Sequence, residues 1–412
     1  MGRTIVIDDS PTAVTSDDGG VVIHRQARDR RRTRRRATAV FSTVSILFAT
    51  AFVVLFSVGY HASRNVKGGF TTHRITDPTA PGYESAVLPT PVHLAAITDG
   101  EGKLVDCYLF IGGTSLKGGS VVWVVGDIGV VVDGKPLQSL DSLYDSGGLN
   151  AATTQLEQLL GLGVTDSITL GPTDLEQLLA PAGTLTITNP DPLFDVKNGQ
   201  RKEVYPAGKL HLSAAEAAEF LRFRADGEVA TNRATRASLV FDAYFAALAP
   251  NAGSSTNGAT GKGVDDLVAV TAAMASGKTD FEILPVSDKP FGAARYFTSD
   301  AARIAELMQK VVPYPTSAFP GQRPRVRILA ATTDPTAAAK AAPDVVAAGG
   351  EILVIGNAKA AVGAATLVEF HDSSQEAAAA KIAAKFGVTA VASSEQTETF
   401  DVTVTLGTDY HG

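Results

Sequence analysis

Cysteine is nearly absent from the 412 residues: the one thiol, Cys107, lies in the apolar run VDCYLFIG (105–112), and no internal disulfide can form. A chain fit for export without disulfides must be held by apolar cores, and the roughly 350 residues after the N-terminal region suffice for two or more domains. Histidine is sparse. The seven side chains (His24, His61, His73, His93, His211, His371 and His411) show no paired ligand spacing, which argues against a histidine-based zinc site. A complete phosphate loop is missing too. GATGKG (258–263) lacks the glycine at the required offset, and Lys262 is followed by Gly263 rather than Ser or Thr, so residues 250–263 read as a linker. Basic charge is scarce beyond the first 61 residues. Those hold 9 of the 36 basic and 5 of the 43 acidic side chains, leaving 27 basic against 38 acidic outside. That acidic remainder argues against a nucleic-acid partner.

What the chain does have is one long run without charge. From Ala37 to Tyr60 it reads ATAVFSTVSILFATAFVVLFSVGY, 24 residues. As a helix this spans roughly 36 Å, enough for a hydrocarbon core of ~30 Å. It is longer than the ~7–15 residues of a cleaved signal's apolar region, and Ser57-Val58-Gly59 is a poor cleavage site. Arg25, Arg28, Arg30, Arg31, Arg32, Arg34, Arg35 and Arg36 precede it, whereas only Arg64 and Lys67 follow closely. The expectation is a single-pass cell-membrane protein, N-terminus cytoplasmic and C-terminus extracytoplasmic. Residues 1–36 read as a disordered arginine-rich tail suited to anionic lipid, 37–60 as the transmembrane helix, and 61–91, rich in Gly, Thr and Pro, as a stalk.

Patterning begins near Pro91. VHLAAI, VDCYLFIG, SVVWVVG and IGVVV are short β-rich runs bounded by glycine, and alternating helices and strands follow. Asn150 is placed to cap a helix. Thr173-x-x-Glu176 and Ser213-x-x-Glu216 read as capping boxes, and Asn232 leads a helix with Val240, Ala243, Tyr244, Ala247 and Leu248 on one face. This α/β domain runs over 92–316 and ends at a proline-rich hinge, VVPYPTSAFPGQRP. In 325–410, strands VRILA, EILVI, ATLVEF and FDVTVTLG alternate with alanine-rich helices, one over 335–348 interrupted at Pro343 and one opening at Ser373-x-x-Glu376 and closing on Gly387. The order β-α-β-β-α-β predicts a small ferredoxin-like α+β domain.

Two stretches carry a resemblance. The C-terminal one rests on Val326-Arg327-Ile328-Leu329, Ala348-Gly349-Gly350, ATLVEF, EAAAAKIAAKFG and the terminal DVTVTLGTDY, and is similar to the LytR C-terminal domain; Ala331-Thr332-Thr333-Asp334 stands where an Asn-Gly turn is usual. The central one, YPAGKLHLSAAEAAEFLRFRADGEVATNRATRASLVFDAYF (205–245) with the strand LVDCYLF, resembles the LytR-CpsA-Psr (LCP) family of bacterial cell-envelope proteins. The resemblance implies an apolar cavity for a polyprenyl chain, arginines on its diphosphate, aspartates on Mg²⁺, and transfer of a cell-wall glycopolymer to peptidoglycan. Carried over, Arg222, Arg224, Arg233 and Arg236 become diphosphate ligands, and Asp106 and Asp127 the metal side. Guanidinium forks suit phosphate oxygens, and Mg²⁺ takes carboxylates plus substrate oxygens.

The sequence also departs from that pattern. Where the family has Ser-Ile-Pro-Arg-Asp, this chain has Val124-Val125-Gly126-Asp127 at the strand end. Ala237 replaces the Gln after the second helix arginine, and Ala230 an Asp. Losing one charge-assisted contact in a dry site costs ~2.7–4 kcal/mol of transition-state stabilisation. The expectation is therefore a catalytically degenerate LCP-like protein that binds polyprenyl-linked precursors, cell-wall polymer or envelope partners; catalytic residues are not assigned. Two alternatives stay open: an active Mg²⁺-dependent glycopolymer transferase, and a structural module whose arginines pair locally with Glu219, Asp226 and Glu228. A long apolar tunnel beside the arginines would favour ligand binding, a filled core the structural module.

Overall fold

The computed structural model describes residues 75–411 apart from 114–116, 133–136, 198, 226–227, 252–262, 292–293, 332–333, 335, 360–364 and 396. The arginine-rich tail, the expected membrane span at 37–60 and most of the linker at 250–263 lie outside the described residues. Among the described residues no helix is long and apolar enough to cross a membrane.

Strand β1 (Glu84–Ala86) precedes the central domain. That domain is built on strands β2 (Val92–Thr98), β3 (Leu104–Ile111) and β4 (Gly119–Val125), helix α1 (Leu140–Leu160) and strand β5 (Asp166–Leu170). Helix α2 (Pro172–Leu179), strand β6 (Leu185–Asn189), the hairpin β7 (Leu193–Lys197) and β8 (Gln200–Tyr205), and strand β9 (Gly208–Leu212) follow. Helices α3 (Ala214–Arg222), α4 (Ala230–Leu248) and α5 (Val264–Met274), strand β10 (Thr279–Ile283), a hairpin over 286–299 and helix α6 (Ala301–Val311) come next. Five strands form one sheet in the order β10-β4-β3-β2-β5, antiparallel across its middle and parallel at both edges.

Every residue of β3 is buried, so the sheet is covered on both faces. Along β3 the side chains alternate, and Asp106, Tyr108 and Phe110 share one face. Helix α4 lies on that face. Phe241 meets Tyr108 at 5.1 Å and Phe110 at 5.7 Å between ring centroids, and stacks on Phe281 at 6.0 Å. The two periods match in length: Arg233 to Phe241 is ~12 Å of helix, and Asp106 to Phe110 is ~13 Å of strand. Rings at one end therefore dictate that Arg233 and Asp106 meet at the other.

Cap geometry moves some expected boundaries. Ser213 caps α3 as expected: its Oγ accepts from Glu216 N at 3.3 Å and its N–H donates to Glu216 Oε2 at 2.8 Å. Helix α2 instead starts at Pro172, whose fixed φ suits a first helical position. Gly171 N donates to Asp174, and Thr173 lies inside the helix. Helix α1 begins ten residues before the expected cap, and Gly148 (φ 69°) breaks it just ahead of Asn150.

In the C-terminal domain, strand β11 (Arg325–Ala330), helix α7 (Ala337–Ala347), strand β12 (Glu351–Asn357), strand β13 (Leu367–Phe370), helix α8 (Glu376–Lys385), strand β14 (Ala390–Ala392) and strand β15 (Val402–Leu406) follow in turn. Pro343 sits within α7 without ending it, and Gly387 after α8 takes the left-handed conformation expected of it (φ 69°). The sheet order is β1-β12-β11-β15-β13-β14. This corrects the ferredoxin-like expectation. There, a strand would separate the two strands of each β-α-β unit. Here β11 pairs directly and in parallel with β12, β13 does so with β14, and β15 joins the two units. The succession of elements is the same for both arrangements, and the short β14, Ala390–Ala392, carries little pattern of its own.

Part of the expected stalk is also structured. Strand β1 adds antiparallel to β12, Asn357 N donates to Tyr83 O at 2.8 Å, and Asn357 Nδ2 donates to Pro78 O and Ala80 O. The expected hinge is fixed on both sides. Gly163 N donates to Thr316 O, Ser317 Oγ donates to Glu351, and Arg323 donates through Nε to Gly161 O and through Nη1 to Gly350 O.

Candidate functional site

Asp106 and Arg233 form a buried ion pair. Arg233 Nη2 donates to Asp106 Oδ1 at 3.1 Å and Nε to Oδ2 at 3.3 Å, and Gly126 N donates to Oδ1 at 3.2 Å. Asp106 is 1% exposed and Arg233 8%. Burial works against the Arg233 cation, yet the Asp106 carboxylate outweighs it and holds the guanidinium above its ordinary value. Both carboxylate oxygens are thus engaged within the fold.

Arg236 is engaged just as fully, by other partners. Its Nε and Nη2 donate to Glu228 Oε1 and Oε2 at 2.7 Å each, Nη1 donates to Phe220 O at 2.8 Å, and Nη2 to Phe223 O at 2.9 Å. The guanidinium therefore closes the C-terminal end of α3 onto α4. It faces carbonyls that the helix leaves without partners, where a cation is favoured.

The other two arginines lie nearer solvent. Arg222 Nε donates to Ala218 O, one turn back in its own helix, at 3.2 Å. Arg224 donates to Val105 O, and its Nη2 stands 3.7 Å from Asp127 Oδ1 with its side chain about two-fifths exposed. That Asp127 oxygen is buried and accepts no hydrogen bond among the described residues. Burial pushes the Asp127 carboxyl above the usual carboxylate range, with Arg224 pulling the other way and Asp141 adding to the rise. Asp141 carries no signal in the sequence. Its N–H donates to Gly126 O at 2.9 Å, which ties the start of α1 to the strand end carrying Asp127. An isolated aspartate in a helical first turn reads as a capping residue, so nothing in the sequence marks it.

The structure therefore joins Asp106 with Arg233, and Asp127 with Arg224, around Gly126. It places Arg236 with Glu228 and leaves Arg222 on its own helix. A magnesium ion needs several free oxygens. Asp106 carries a guanidinium against both its oxygens, and Asp127 stands beside Arg224, so a cation already faces each of the two carboxylates. These residues do not fit a Mg²⁺ site. Nor is the face of β3 beside α4 hollow, because the Tyr108, Phe110, Phe241, Tyr244 and Phe281 rings fill it. A cavity of about 320 Å³ does open near Arg236, lined by Pro190, Leu193 and Phe194 together with Asn189, Arg201 and Glu228. Its lining is mixed, not that of an apolar tunnel.

Residues 323–410 match the family model described as LytR cell envelope-related transcriptional attenuator. The chain thus joins a mixed α/β domain to a LytR-type C-terminal domain. Among solved structures it is similar to a transcriptional regulator from Enterococcus faecalis (16% identity, 54% of this chain and 86% of that one, TM-score 0.42). It is similar also to B. subtilis TagV (15%, 54% and 96%, 0.41) and to the LytR-CPS2A-psr family protein YwtF (TagT) with bound octaprenyl pyrophosphate (15%, 57% and 90%, 0.40). No curated protein matches the sequence significantly.

Proposed function

We propose that this chain is a membrane-anchored cell-envelope protein whose central domain is a catalytically degenerate relative of the LCP transferases. It serves as a binding or scaffolding module for lipid-linked precursors, cell-wall polymer or envelope enzymes. The envelope setting is supported by the LytR-type C-terminal domain, and by the uncharged run at 37–60 with its arginine flank, a pattern that favours a C-terminus outside the cytoplasm. The degenerate reading is carried by one observation: Arg233 and Arg236 already hold internal carboxylates through two hydrogen bonds each. A diphosphate would have to displace Asp106 or Glu228, leaving a buried carboxylate without its cation.

Titration of the full chain with geranylgeranyl diphosphate tests this. Arg233→Ala and Arg236→Ala are expected to lower stability and leave any affinity unchanged. A loss of affinity of tenfold or more in a folded variant would return both residues to the ligand. The alternative of an active transferase draws on Asp127, whose unpartnered oxygen beside Arg224 could still meet a ligand. It requires turnover.

A further inference from the structure

A second cavity, of about 550 Å³, lies away from the aspartate–arginine site, where the two domains meet. Its volume falls within the ~300–1,000 Å³ of small-molecule sites, which favour domain interfaces. The walls come from the end of α1, from α6 and from the C-terminal end of α7. Leu159, Ala305, Met308 and Val346 supply their apolar part, Gln158, Glu306 and Gln309 are among the polar groups, and Lys385 also lines the cleft. Gln309 Nε2 donates to Pro343 O at 3.2 Å, so α6 and α7 are held together along one side.

One charged group in this lining is set apart by its partners. Arg323 donates Nε to Gly161 O at 2.9 Å and Nη1 to Gly350 O at 3.3 Å, both neutral carbonyls. Among the described residues no carboxylate stands within ion-pair distance of it. Glu351, the carboxylate whose field reaches it, is already bound by Ser317 N and Oγ through Oε2. Burial accordingly holds this guanidinium below its ordinary value. A guanidinium carries five donors, and among the described residues two are used here. An organic anion would supply what the fold withholds, since charge-assisted hydrogen bonds are the stronger class.

We propose that the interdomain cleft binds a small single-headed organic anion, its carboxylate on Arg323 and its short apolar body against Leu159, Met308 and Val346. Because the walls belong to both domains, such a ligand would also hold them together.

Calorimetric titration of the full chain with sodium hexanoate, and with hexanamide as the neutral control, tests the proposal. The expected result is saturable one-to-one binding of hexanoate, at least tenfold weaker for hexanamide. Arg323→Gln should abolish binding but also removes one hydrogen bond to each domain, to Gly161 O and to Gly350 O. Ala305→Trp therefore provides the second variant: it places bulk in the cleft from an exposed position of α6, and should abolish binding without altering the melting temperature. No saturable binding to the parent, equal binding of the amide, or full binding to Ala305→Trp would each overturn the proposal.

Discussion

At the scale of single residues, the decisive fact is that buried charges in the central domain are spent on one another. Removing one member of such a pair leaves the other unpaired, at a cost of roughly 3–5 kcal/mol, whereas a well-packed apolar replacement of both is often neutral. Asp106→Ala is accordingly expected to lower unfolding stability by about that amount in urea titration, and Asp106→Leu with Arg233→Met to recover most of it. A mild single mutant would mean that Arg233 finds solvent, and that the pair is less enclosed than its geometry indicates.

Asp127 gives a prediction of opposite character. Its folded carboxyl titrates above its unfolded value of ~3.9, chiefly because it is buried. The native state therefore holds the proton more tightly than the unfolded chain does. Ionised Asp127 costs stability above its folded pKa, and that cost fades as the pH falls towards the unfolded value. Asp127→Asn should raise the melting temperature at pH 7.5 and lose the gain by pH 4. A variant less stable than the parent at pH 7.5 would show that the Arg224 contact outweighs burial.

At the scale of elements, the segment before the central domain belongs structurally to the domain at the other end of the chain. β1 lies along β12 at close range: a Cβ added at Gly356 would stand 2.2 Å from Tyr83 O and 3.0 Å from Glu84 Cα. Gly356→Ala should therefore expel β1. Hydrogen exchange is expected to show loss of protection at Asn357 N–H and Val87 N–H, the amides bonded across this edge, with the β11 amides unchanged. Retained protection at Asn357 would contradict the described pairing. Glu84, 3.9 Å from Arg327, adds an ion-pair contact across the same sheet.

At the scale of the whole molecule, the sequence was legible where one period dominated. The apolar runs of β2, β3 and β4, the Ser213 box and the α4 stripe of Val240 and Tyr244 all mark the elements that the structure contains, because each signal is local. Strand order was not legible, since β-α-β-β-α-β is compatible with split and unsplit units alike. The pairing of β1 with β12 was hidden for a related reason: its three exposed residues have no apolar alternation and find their partner some 270 residues on. At the candidate site, the sequence supplied Asp106, Asp127 and the four arginines but not who holds whom. Glu228 is legible as a local partner because it lies eight residues before Arg236, just ahead of α4. Asp106 and Arg233 are 127 positions apart, and they meet where Phe241 of α4 packs against Tyr108 and Phe110 of β3.

On the proposed reading, this arrangement of charges supports the fold and not phosphoryl chemistry. The most direct test is release of phosphate from geranylgeranyl diphosphate by the purified full chain, followed with and without Mg²⁺ and compared with Arg233→Ala. The account predicts no Mg²⁺-dependent release above the protein-free rate in either protein. Mg²⁺-dependent cleavage by the parent, abolished in a folded Arg233→Ala, would contradict it and make the chain an active transferase.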